Sequence, residues 1–435
     1  MNNISNLANS TGDESRRMST HLRKRYASER RFVWYTRLAI LLALSALVVL
    51  LYAIGSRGYT AFIQTEISLN IYFDGAKIDP DGTRKQSILK GANYAGLIKT
   101  SLYHQFPDAQ SRQEKRALSK LIGSGMDLKL RELVLSNPSL IGKTKIIWFT
   151  ASDDVDMAIK GKMPRDVPEA ERRLNDKQLM WLDSLESQTQ IRTVFNRTFL
   201  TSGDSREAEL AGIWGAMVGS FWMMLICLAL SVPFGVMTAI YLEEFAPSNK
   251  FTDLIEVNIN NLAAVPSIIF GLLGLAMFLS LFGLPRSAPL VGGMVLALMT
   301  LPTVIIAARA SLKAVPPSIR EGALGIGASQ MQTVFHHVLP LAVPGILTGT
   351  IIGMARALGE SAPLLMIGMV AFIVDVPSGP LDASTALPVQ VYLWSDNPER
   401  AFVEKTSAAI MVLLAFLITM NGAAVYLRRK FERRW

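Results

Sequence analysis

Arg356 and Glu360 stand four residues apart inside an otherwise uncharged run from Val338 to Val374. On a helix that spacing puts a guanidinium and a carboxylate on one face, where they can pair. A charge at bilayer depth costs about 2.5–3.5 kcal/mol on insertion scales, so two such charges retained in one apolar run need a use. Gly359 sits between them and Pro363 follows. Glycine is a poor helix former, and proline offers no N–H to the carbonyl of Gly359, four residues earlier. A cation, an anion and a weak point in the helix therefore share one short segment. Two uses fit. The pair fixes helix packing, or it lines a cavity beside a broken helix, where irregular backbone is tolerated at membrane depth.

Other chemistry is sparse. Cys227 is the single cysteine, so no disulfide framework is available. Four histidines without a Cys/His cluster give no zinc-type site, and no metal is expected. Gly142-Lys143-Thr144 looks like the end of a phosphate-binding loop. The first glycine of that motif belongs at position 137, which is Asn137, so no nucleotide role is expected there. The net charge of +9 comes with basic residues at both chain ends, flanking apolar runs. A membrane surface explains that arrangement better than nucleic acid does.

The elements that must position these residues are mostly apolar. Half of the 435 residues are hydrophobic and 18% are charged, against about 25% charge in average soluble chains. The segment from Arg57 to Ala208 holds 23 Lys/Arg and 19 Asp/Glu, more than half of all charges. A purely soluble protein is excluded. Six runs are long enough to cross a bilayer: Leu38–Ser56, Leu210–Leu242 with an interfacial start to Gly215, Val257–Pro285, Ser287–Ala308, Val338–Val374 and Thr406–Leu427. The first follows more than 30 residues and lacks a small-x-small cleavage site, so it reads as a retained anchor. Pro233, Pro266 and Pro302 are expected to kink spans.

Orientation follows from the flanking cations. Arg16, Arg17, Arg23, Lys24, Arg25, Arg30 and Arg31 precede the first span, and Arg428, Arg429, Lys430, Arg433 and Arg434 follow the last. Six spans and two basic ends put both termini in the cytoplasm. The expected order is a basic cytoplasmic segment over 1–37, the first span over 38–56, a periplasmic insert over 57–208, a five-helix core over 209–427 and a basic tail over 428–435. The insert is large enough for its own core and is expected to be mixed α/β. Leu130–Leu135 and Ile146–Thr150 are candidate strands, and Glu169–Ser187 has helical spacing.

Between the fourth and fifth spans lies the stretch from Lys313 to Pro340. Pro316 and Pro317 should stop the preceding helix. Ser318 is placed to cap a new one, with Glu321 three residues on as its box partner. Gly325 and Gly327 should end it within two turns. A short helix along the cytoplasmic face is predicted, and by spacing alone it could be an ordinary connector.

Glu321-Gly322-Ala323, Gly327 and Leu339-Pro340 resemble the EAA loop of type I ABC-importer permeases. Gly322 departs from the family's middle alanine, and His337 stands where an aliphatic residue is usual. Ala264–Gly271, Leu301-Pro302, Ala355–Leu365 and Leu387–Tyr392 are similar to the PstA-type phosphate permeases. The resemblance covers roughly Leu210 to the C-terminus and assigns nothing to the insert.

That resemblance implies an all-α polytopic fold with six transmembrane helices in a bacterial inner membrane. It implies a non-catalytic subunit that forms half of a path for inorganic phosphate. Arg356 and Glu360 would line the path, with Gly359 and Pro363 at a helix break beside it. Glu321, Gly322, Ala323, Gly327, Leu339 and Pro340 would couple to a separate ATPase. The implied partners are a homologous PstC-like permease chain, two PstB-like ATPase subunits and a periplasmic PstS-like phosphate-binding protein. The resemblance implies no cofactor on this chain, with ATP and Mg on the ATPase. Two other readings are a permease for molybdate or sulfate, and a membrane sensor with the insert as receptor.

Overall fold

A computed structural model describes residues 2–370 and 372–431, with side chains at Leu22 and from Arg25 to Lys430. The side chains of Arg16, Arg17, Arg23 and Lys24, and the tail residues Arg433 and Arg434, lie outside the described residues. The chain separates into two compact units, Met1–Ser56 and Arg57–Trp435.

Helix α1, Asn2–Gly58, dominates the first unit. Leu41, Val48 and Val49 are all more than half exposed along its apolar stretch. Such a surface suits hydrocarbon.

The second unit begins with a three-stranded antiparallel sheet of order β2-β1-β3, made of β1 Ile63–Tyr72, β2 Thr144–Thr150 and β3 Ile191–Phe195. Strand alternation turns Ile67, Leu69 and Ile71 inward, where they join Phe149, Leu130 and Trp181 in one core. Ile146–Thr150 falls within β2. Leu130–Leu135, expected as a strand, lies instead in the helix Met126–Ser136. Leu130 and Val134, four apart, are its fully buried residues. An apolar run this short does not distinguish the two periods. The helix expected over Glu169–Ser187 starts late, at Asp176, because Asn175 and Gln178 form its capping box.

The remainder is helical. Helix α2 is Trp214–Ile240 and continues as a π-turn, Tyr241–Phe245. Helices α3, Lys250–Ala263, and α4, Ser267–Gly274, follow, the latter extended by Leu275–Leu281. Then come α5, Pro289–Lys313, α6, Pro317–Gly325, α7, Leu339–Gly359, and α8, Arg400–Phe431. Among the described residues five helices are long and apolar enough to cross a membrane, or six if the α3–α4 pair counts as one span. That pair bends by 100°. The apolar run Val257–Pro285 is therefore not one straight helix: α3 ends before Pro266, which stands extended at the start of α4. Small residues let the central helices meet. A Cβ on Gly292 would lie 2.5 Å from Met223 Sδ, and one on Gly293 2.6 Å from Ile226 Cβ.

One further expectation is corrected. Ser318 does not cap α6. The helix starts two residues earlier than that cap would set, at Pro317, with Pro316 at the cap position and no side-chain cap bond. Proline's preset φ suits the first helical position, so the start moves to it. The helix break falls near Gly359 and Pro363, and its position is set before the proline. Helix α7 ends at Gly359, Glu360 is extended, and Pro363 is the second residue of the separate short helix Ala362–Met366.

Candidate functional site

Helix α7 buries Gly353, Met354, Ala357 and Leu358 and leaves Ile352, Arg356 and Gly359 exposed. The exposed three are spaced by four and three, so they form one stripe that this chain leaves uncovered. Arg356 Nε lies 3.7 Å from Glu360 Oε1, with the two side chains 51% and 22% exposed. The guanidinium stands in the last turn, where the carbonyl ends of the helix favour a cation. The backbone then leaves the helix at Glu360, and Ala362–Met366 packs back onto α4. A Cβ on Gly271 would come within 2.7 Å of Pro363 Cα, so the contact requires glycine. Ser287 Oγ donates to Gly368 O at 2.7 Å and fixes the far side of the turn. Arg356, Gly359, Glu360 and Pro363 are thus gathered at one helix break. Arg356 is open on one side and its base is held by packing.

The second group is on the α5–α7 connection. Glu321 and Gly322 are exposed, while Ala323 is buried at 5% exposure and anchors α6 inward. Gly327 is exposed with φ +93°, a conformation that favours glycine, and there the chain reverses after the helix. Leu339 and Pro340 are half-buried at the start of α7. Four apolar side chains missed by the motif are exposed alongside: Leu324, Ile326, Met331 and Phe335. Exposed apolar groups gathered on one connection are the kind of surface that marks interaction sites. Their signal in the sequence is faint, because a loop apolar residue reads as ordinary filling.

Acidic residues at the end of α2 hold this connection. Arg320 donates to Glu244 from Nη2 at 2.6 Å and from Nε at 3.2 Å. Arg309 and Lys313 of α5 lie 3.5 and 3.6 Å from Glu243, and Arg309 also pairs with Glu256 of α3.

Comparison with known proteins gives the class first. Residues 231–433 match the family described as binding-protein-dependent transport system inner membrane component. Residues 19–169 match a domain of unknown function. The phosphate transport system permease protein PstA 1 of Mycobacterium tuberculosis (strain CDC 1551 / Oshkosh) is 32% identical over 230 residues, covering 52% of this chain and 74% of the relative. PstA of Mycobacterium leprae is 32% identical over 221 residues, covering 50% and 71%. A solved chain of the MetNI methionine ABC transporter, in an inward-facing form, aligns at 17% identity with a TM-score of 0.42, covering 51% of this chain and 98% of that one. The chain belongs to the family of phosphate transport system permease proteins.

Proposed function

We propose that this chain is the membrane permease subunit of an ATP-driven importer of inorganic phosphate. It forms half of the path with a second, homologous permease chain. The observation that carries the path assignment is Arg356, held at the broken end of α7, 3.7 Å from Glu360 and open to whatever covers that face. A guanidinium donates two parallel hydrogen bonds to an oxyanion. Glu360 orients it and offsets part of its charge, which keeps binding weak enough for release. Gly359 and Pro363 allow the backbone to turn there.

The chain hydrolyses nothing. ATP and Mg2+ belong to two separate ATPase subunits that dock on α6 through Glu321, Gly322 and Gly327, with Leu324, Ile326, Met331 and Phe335 around them. Ala323, Leu339 and Pro340 hold the docking surface from behind. A periplasmic phosphate-binding protein delivers substrate. The six-span count takes α3 and α4 as one broken crossing. Both termini and α6 then lie in the cytoplasm of a bacterial inner membrane, and the 57–208 domain lies outside.

The test is uptake of radiolabelled phosphate by the reconstituted complex, with molybdate and sulfate as competitors. ATP-dependent phosphate uptake that neither competitor suppresses supports the reading. Preferred uptake of molybdate or sulfate moves the chain to another oxyanion, and failure of any ATPase to co-purify removes the permease reading.

A further inference from the structure

Resting on that reading, we infer that Arg320 and Glu244 form the joint through which movement of the docked helix α6 reaches α2 and α5. Arg320 is a positioning residue here, because it acts on the helices and touches no substrate.

The joint starts from Pro316. In a continuous helix the carbonyl of Leu312 would accept the N–H of residue 316, and proline has none. Arg320, one turn into α6, reaches back to that carbonyl, with Nη2 donating to Leu312 O at 2.9 Å. Its Nη1 donates to Val315 O at 2.8 Å. The C-terminal end of α5 is thereby capped by a cation, the sign the helix dipole favours there. The other edge of the guanidinium meets Glu244 in the π-turn that ends α2. Glu244 is 8% exposed and Arg320 23%, so the pair is largely shielded from water. The return segment uses the same point, since Gln330 Nε2 donates to Glu244 O.

One residue of α6 thus holds two helix ends, and the next segment holds the same glutamate. Lysine, a point charge with one nitrogen, cannot hold a carboxylate and two carbonyls in that planar arrangement. Under α6 the apolar contacts are Ala323, buried at 5% exposure, and Ile319, half-buried against the cluster that includes Ala239, Leu312 and Val334. That packing is non-directional, whereas the guanidinium makes the directed contacts that tie α6 to the ends of both α2 and α5.

Arg320→Lys, Glu244→Gln, and the double variant Arg320→Gln with Glu244→Gln test this in the assembled complex. The first readout is phosphate imported per ATP hydrolysed. We expect the ATPase to co-purify and hydrolyse ATP, with imported phosphate per ATP falling about 5-fold or more, the scale of a coupling free energy between sites. The double variant should be no worse than the worse single one. The second readout is hydrogen exchange in the full chain. Amides of 318–325 should exchange faster in both single variants, with those of 290–313 unchanged. Wild-type coupling together with wild-type exchange overturns the joint. So does loss of the complex in both single variants, which marks a purely structural clamp. If the wild-type complex imports no phosphate, the substrate assignment falls on that control, and the exchange result alone decides the joint: faster exchange upholds it and unchanged exchange refutes it.

Discussion

Lys160 Nζ lies 2.9 Å from Glu404 Oε1, joining the sheet domain to helix α8 through side chains 3% and 7% exposed. The same ammonium sits 2.6 Å from Asp156 Oδ2. Asp156 in turn accepts from Thr65 N at 2.8 Å. The neighbouring Lys405 donates to Ala211 O at 2.6 Å, so consecutive residues of α8 grip this layer in two places. Glu404 Oε2 has no hydrogen-bond partner among the described residues, which leaves its carboxylate dependent on Lys160.

Removing the cation should therefore cost more than removing the anion. Lys160→Met strands Glu404, and breaking a buried pair from one side costs about 3–5 kcal/mol. Glu404→Met leaves Lys160 with Asp156 and should cost less. The double variant replaces the pair with apolar groups and should recover much of the loss. Thermal unfolding of the detergent-solubilised chain measures all three. Equal losses in the two single variants, with no recovery in the double, would show that the contact is not energetically coupled.

That latch was not legible in the sequence, where its partners are 244 residues apart. Arg320 and Glu244, 76 apart, were equally hidden. The Arg356–Glu360 pair was legible because it is local: an i,i+4 spacing states its own geometry. The end of α5 was legible for the same reason, through Pro316 and Pro317. The cap of α6 was not, because Ser318 and Glu321 fit a capping box two residues out of step with the proline-set start. The exposed face of α7 was hidden too. Periodicity marks which residues share a face, but not whether this chain covers it.

The two glycines of the coupling loop should respond in opposite ways. A Cβ on Gly322 would meet nothing within 4 Å, and its φ is not in the left-handed region. Gly322→Ala should stabilise α6 by about 0.4–1 kcal/mol, because alanine has less freedom to lose. Gly327 also has open space but holds φ +93°. Gly327→Ala should therefore strain the turn after α6. Hydrogen exchange of amides 318–325 in the chain without its ATPase should slow in the first variant and quicken in the second. The same direction of change in both would refute the conformational argument.

Glu209 offers a pH test away from the membrane helices. It is 7% exposed, and burial pushes its carboxyl above the ordinary 4.5, although Ser124 N donates to Oε1 at 2.8 Å and pulls the other way. A raised folded value means that the folded state holds this proton to higher pH than the unfolded state does. The resulting stability is fully present below 4.5 and is lost as pH rises through the folded value. Glu209→Gln keeps an oxygen acceptor for Ser124 and removes the buried charge. The variant should unfold at a higher temperature than the parent near neutral pH, with the gap closing toward pH 4.5. A gap that widens on acidification would show that the carboxylate is favoured, not penalised, in the fold.

Arg356 bears directly on transport. Its side chain is half exposed within this chain and Glu360 is itself 22% exposed, so its loss leaves no fully buried carboxylate stranded in this chain's core. Arg356→Gln should fold and assemble normally while abolishing uptake, because an amide lacks both the charge and the five-donor fork. Arg356→Lys keeps the charge but not the paired donors, and should fall between Gln and the parent. Glu360→Gln should also assemble, and a guanidinium no longer offset by a carboxylate should hold oxyanions longer. Uptake should then slow at saturating phosphate while half-saturation moves to lower concentration. Complex yield and uptake measured on the same preparations separate these effects from misfolding. Full assembly of Arg356→Gln with parental uptake would remove Arg356 from the path, and loss of assembly in both Arg356→Gln and Glu360→Gln would make the pair a packing device between subunits.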